Sequence, residues 1–182
     1  VIDPKIGSKG VLLARRDNSV FIRDIYTRVV ETMFDVQDKQ DILDYIINMC
    51  NLCCSASVDY KQFVMTKKVN DMDGYKSKAL PADEKKLEKR LKDLNCDIDG
   101  YKLRSMPAHV QLAERMKSRG IRIDVGQRIE YIITTRGGLK AKNMDKMEDP
   151  DYYKKYSTII PIDYLYYIKL MSTSVDEMLN VV

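Results

Sequence analysis

Apolar residues recur at helical spacing near both ends of this chain, and that recurrence constrains the fold more than any other feature. Phe21, Ile25, Val29 and Met33 fall at steps of four, and Tyr167, Ile168, Met171, Val175 and Met178 keep the same period far downstream. The first run predicts an amphipathic helix over residues 19–34 capped by Asp17 or Asn18, and the second a helix starting near Asp163. Residues 39–54 predict another, with Leu43, Ile46, Ile47, Cys50 and Cys54 facing inward. Pro107 and Gly120 bracket a fourth in "PAHVQLAERMKSRG". Strand character is confined to the opening "KGVLLA", to "QFVMTKKV" at 62–69, and to "IRIDVGQRIEYIITTRGG". The last reads as two short strands around Asp124-Val125-Gly126, with Ile129, Tyr131 and Ile133 on one face. With 182 residues and 45% hydrophobic content the chain can bury one core, so the expected fold is mainly α with a small β element.

Charge narrows the function. Between residues 101 and 146 stand eleven Lys and Arg against four Asp and Glu, although the whole chain carries only +4. Clustering of this kind is the footprint of a polyanionic partner. No apolar run approaches the length of a membrane span, and the early residues follow no signal-peptide order, so neither a membrane nor an exported role is expected. The chain opens on Val-Ile-Asp-Pro and reads as a piece of something longer.

Two features invite metal and are weighed against it. "CNLCC" places Cys50 and Cys53 at Cys-x-x-Cys spacing, but only Cys96 and His109 remain as further zinc ligands, so buried thiols in a reducing compartment are expected. "DMDGYKSKALPA" at 71–82 recurs as "DIDGYKLRSMPA" at 97–108. Each Asp-x-Asp-Gly looks like half a calcium loop, yet the positions that need an acid and a bidentate Glu hold Val69 and Leu80 in one copy, Asn95 and Met106 in the other. Tight turns joining helices are the expected reading.

"KGVLLARRDN", "FVMTKKV", "PAHVQLAERMKSRG", "GQRIEYII", "EDPDYY" and "IDYLYYI", in this order and at these distances, resemble the end of the palm and the thumb domain of family B DNA polymerases. The resemblance spans nearly the whole chain and suits an enzyme of a large eukaryotic DNA virus or a divergent eukaryotic replicase. It implies a helical thumb domain over residues 18–182, joined to the palm edge at 1–17. The function implied is that of a DNA-directed DNA polymerase in replication, whose thumb grips the primer-template duplex through its phosphates. Lys9, Gly10, Arg15, Arg16 and Asp17 match the palm-thumb motif; His109, Ala113, Arg119 and Gly120 match its helix. Gly126, Ile129 and Tyr131 match its strand, and Asp163, Tyr166 and Tyr167 its last helix. The metal-binding carboxylates of the family lie in motifs that this chain lacks, so no catalytic residue and no metal ligand is expected here. Magnesium and dNTP belong to the full enzyme, as does a processivity factor, at an intracellular site in a host nucleus or a cytoplasmic viral replication centre. Residues 75–106 look like a tandem duplication whose helix keeps only Leu87, Leu91 and Leu94 as an apolar stripe.

A sequence-blind duplex grip needs Lys and Arg aimed at phosphates. The candidates are Lys9, Arg15, Arg16, Lys102, Arg104, His109, Arg115, Lys117, Arg119, Arg122, Arg128, Arg136, Lys140 and Lys142, with Gly137-Gly138 letting backbone amides approach a phosphate. Asp17, Gly120, Gly126, Tyr131, Asp163 and Tyr167 are expected to be structural, Asp17 by pairing with one of the neighbouring arginines. An independent nucleic-acid-binding module without a catalytic role, using the helix at 107–120 as a sequence reader, is the alternative. A redox or metal protein built on "CNLCC" is a third reading.

Overall fold

The computed structural model describes residues 17–34, 39–70, 75, 80–138 and 140–179. The expected opening strand, with Lys9, Arg15 and Arg16, lies outside them. So does most of the first repeat copy.

Eight helices and three strands make up the described part. Helix α1 (Val20–Phe34) is followed by α2 (Lys39–Cys54), one 3-10 turn (Tyr60–Phe63) and strand β1 (Met65–Lys68). Helices α3 (Glu84–Leu94), α4 (Ile98–Ser105) and α5 (Ala108–Ser118) come next, then β2 (Arg128–Ile133). The short α6 (Asn143–Lys146) leads straight into β3 (Met147–Glu148), and α7 (Pro150–Tyr156) and α8 (Tyr164–Leu179) complete the series. The sheet runs β1-β2-β3 and both pairings are antiparallel. The expectation of a mainly helical fold with a small β element therefore holds.

Several local readings need correction. Helix α1 is capped by the fully buried Ser19, whose hydroxyl accepts from Ile22 N at 3.4 Å, and not by Asp17 or Asn18. In α2 the buried stripe is Ile42 and Cys53, with Tyr45, Ile46, Met49 and Cys50 packed beside it, whereas Leu43, Ile47 and Cys54 face solvent. Residues 121–124 form no strand. Helix α5 ends in Gly120 at φ +85, with Gly120 N bonded to Lys117 O and Ile121 N to Met116 O, a left-handed stop. The partner of β2 is β1, and the ladder continues through Gly126 N to Val69 O at 2.7 Å.

The second repeat copy is a helix start, not a turn. Asp97 caps α4 by accepting from Gly100 N at 2.7 Å, so Asp99 and Gly100 lie within its first turn. Glycine is required at 100 because a Cβ there would sit 2.9 Å from Cys96 Cβ. Helix α3 before it buries none of its residues; the leucine stripe stays half-exposed.

The core gathers Phe21, Ile25 and Val29 of α1, Phe63, Leu112 of α5, Ile132 and Ile133 of β2, and Tyr167 and Met171 of α8. Tyr167 fastens the layers together. Its buried hydroxyl accepts from Ile133 N at 2.9 Å and donates to Phe63 O at 2.9 Å, tying the sheet, the 3-10 turn and α8 through one atom. Asp163 caps α8 through Tyr166 N and meets Lys146 Nζ at 2.7 Å, both side chains being buried.

Candidate nucleic-acid interface

The basic block divides into two groups. Glu148, at 0% exposure, accepts both Arg119 nitrogens (2.7 and 3.1 Å) and Arg136 Nη1 (2.6 Å). Asp149 Oδ2 takes a further bond from Arg119 at 3.0 Å, while its Oδ1 caps α7 through Tyr152 N. The Arg119 guanidinium lies 3.7 Å from the Tyr152 ring centre, a cation–π contact. Arg115 donates to the main-chain oxygens of Met144 and Met147 at 3.1 and 2.6 Å. Burial pushes the Glu148 carboxyl up, but hydrogen bonds from and the charge of Arg119 outweigh it and hold the group below its usual range. The Glu148 hydrogen bond raises the Arg119 pKa, and burial lowers that of Arg115. Arg115, Arg119 and Arg136 are thus engaged by their own fold, since a buried carboxylate needs its cations as partners.

A second group faces outward. Antiparallel register sets Lys68 directly opposite Arg128, and Thr66 opposite Glu130, so these four share the outer face of the β1–β2 ribbon. Lys68 and Arg128 are exposed, and Arg128 Nη1 reaches Thr66 Oγ1 at 3.4 Å. Like charges placed opposite on a ladder repel, and a bound anion relieves the repulsion. Sequence reasoning did not single out Lys68; the doubled lysine of "TKKV" was visible, but its partner lies 60 positions away.

Beside the ribbon, Lys67 Nζ lies 3.3 Å from Asp17 Oδ2, tying the expected structural Asp17 to β1. His109 Nε2 lies 3.1 Å from the Tyr75 hydroxyl, which also accepts from Asn70 N at 2.8 Å. Burial, and then the charge of Lys67, push the imidazole pKa of His109 below its ordinary value, which favours the neutral ring. Tyr131, with burial raising its phenol to about 12, packs into the core opposite Met65. Gly126 takes the left-handed φ of +85 that the turn into β2 requires.

The remaining cations are scattered. Lys102, Lys117 and Arg122 lie beside Asp99, Glu114 and Asp124 in solvent-exposed pairs at 3.5, 2.8 and 3.0 Å. Exposed pairs of this kind hold weakly, typically by less than about 1 kcal/mol. Arg104, Lys140 and Lys142 surround a cleft between α4 and the loop that follows β2. The expected amide approach at Gly137-Gly138 is not available at Gly138, whose N–H donates to Thr135 O at 2.8 Å. Among the described residues no three His, Cys, Asp or Glu side chains are arranged to hold a metal ion, and no helix is long and apolar enough to cross a membrane. The buried acids are paired with cations, Glu148 and Asp149 with arginine and Asp163 with lysine.

Fold and surface together define a class: a mainly helical module with a short antiparallel sheet, its half-buried arginines held by carboxylates and main-chain oxygens and its outer cations exposed. The model of DNA polymerase family B matches residues 2–182, and the chain belongs to that family. DNA polymerase 037L of Invertebrate iridescent virus 6 is 30% identical over 98% of this chain, which spans 17% of that protein. The DNA polymerase delta catalytic subunit of Candida albicans is 30% identical over 90% of this chain and 13% of its own length. The fold is similar to that of the family B DNA polymerase from the hyperthermophilic archaeon Pyrobaculum calidifontis, with a TM-score of 0.60 at 16% identity, covering 87% of this chain and 17% of that one.

Proposed function

We propose that this chain is the palm edge (residues 1–17) and thumb (18–182) of a DNA-directed DNA polymerase, and that it holds the primer-template duplex by phosphate contacts during replication. The observation that supports this most is the Lys68–Arg128 pair on the outer face of the ribbon, two exposed cations side by side in a family whose matched members are named polymerases. The ribbon faces the duplex backbone, and Lys102, Lys117 and Arg122 exchange their exposed carboxylates for phosphates. Release of the counterions condensed on the duplex then supplies the affinity, without base-edge contacts. Arg115, Arg119 and Arg136 act indirectly by fixing the frame that carries the ribbon. Residues 75–106 are an insertion on that frame. In this reading the reacting groups, magnesium, dNTP and any processivity factor belong to other parts of the full-length protein, where two-metal phosphoryl transfer takes place.

The test uses the full-length polymerase. Lys68→Gln with Arg128→Gln should weaken primer-template binding about tenfold, equally on three unrelated sequences. Unchanged affinity would remove the ribbon from the interface, and losses that differ strongly between sequences would favour a base-reading module.

A further inference from the structure

The sheet ribbon leaves unexplained the cleft of about 910 Å³ between α4 and the loop after β2. Besides Arg115 of α5, whose guanidinium donates to Met144 O and Met147 O, two outer segments bring cations to it: Arg104 from the last turn of α4, and Lys140 and Lys142 from the loop. All three are exposed, and Asp145 is the one acid in the lining. The walls between them are apolar, built by Tyr101, Leu103 and Met144. Both sides are held rigidly. Tyr101 is buried and its hydroxyl accepts from Arg90 at 3.2 Å. On the loop side, Gly137 at φ +75 packs so closely that a Cβ would meet Ala141 Cβ at 3.0 Å, and Ala141 N bonds Gly138 O.

An open helix face with lysines binds phosphate and needs no concavity. A cleft whose volume lies within the ~300–1,000 Å³ of small-molecule sites, with cations at the lips and carbon on the walls, suits an anion that carries an apolar body. A duplex, whose major groove alone is about 12 Å wide, does not enter it. We infer that this cleft binds one nucleotide, its phosphate between Arg104 and the loop lysines and its base against Leu103 and Met144. The nucleotide is either free or a single unpaired residue of a nucleic-acid strand. The choice of a nucleotide over other anions of this shape rests on the polymerase reading above; the cleft itself does not.

Photocrosslinking in the full-length protein tests it, with 8-azidoadenosine 5′-monophosphate as probe, no magnesium, and mapping of the labelled peptides. Label is expected on peptides containing Leu103 or Met144, falling about tenfold in Arg104→Gln/Lys142→Gln, while label on peptides elsewhere stays constant. Competition by dAMP well above that by inorganic phosphate is also expected. A short single-stranded oligonucleotide competing better than dAMP identifies a strand as the source, and equal competition a free nucleotide. No label on these peptides, label indifferent to the two substitutions, or better competition by an acidic peptide overturns the inference. Primer-template affinity measured on the same samples keeps the outcomes apart, because a polymerase that binds duplex normally yet leaves the cleft unlabelled loses only the cleft proposal.

Discussion

The frame around Glu148 and the helix α3 are built by opposite means. Glu148, Asp149, Asp163 and Tyr167 are buried, and each is held by partners distant in sequence, such as Arg119, 29 residues before Glu148, and Phe63, 104 before Tyr167. Helix α3 buries no residue, and its order comes from within: Asp83 caps its first turn through Lys85 N and Lys86 N, and Asn95 at φ +48 closes its last. The difference teaches where damage will spread. A change in the frame strands a charge or a polar group away from water, whereas a change in α3 alters one half-wet surface.

The largest effect is expected at Glu148. Glu148→Ala leaves Arg119 and Arg136 without their shared carboxylate and should cost about 3 kcal/mol, measured by urea unfolding. Second comes Tyr167→Phe, which deprives Ile133 N–H and Phe63 C=O of partners in the core and should cost about 2 kcal/mol with little change in m-value. The frame also has a pH signature. The Glu148 carboxyl is held below its usual 4.5, so its stabilisation is present above that value and is lost as the pH falls through the lower folded pKa. Burial raises the Asp149 pKa and gives it the opposite dependence. Removing the Glu148 titration in Glu148→Gln should therefore make the change in unfolding free energy from pH 7 to 3 less destabilising toward acid than in the native protein. The smallest effect belongs to α3, where Leu91→Ala should cost under about 1 kcal/mol because the residue is already half-exposed. A loss at Leu91 equal to that at Glu148 would erase the comparison.

Legibility in the sequence follows the same division. Helix α1, α5 and α8 were readable because apolar period and the Gly120 stop are local. The buried face of α2 was misjudged because Ile46 and Ile47 are adjacent, and periodicity does not tell which of two neighbouring apolar rows the core selects. Strand β2 was readable from "RIEYII", but its partner was not, since the pairing of Lys68 with Arg128 joins residues whose proximity only the sheet creates. The site was obscured for the same reason. Arg119 and Arg136 look like phosphate ligands until Glu148 is folded beside them.

The central claim is that exposed Lys68 and Arg128 contact phosphates while Arg119 and Arg136 hold the frame. The most direct measurement is the salt dependence of primer-template affinity in the full-length polymerase, at a temperature where every variant is folded. Lys68→Gln/Arg128→Gln should lower the slope of log K against log salt by about 1.8, and Arg119→Gln/Arg136→Gln should leave it unchanged. A slope that fell with the second pair and not with the first would contradict the account.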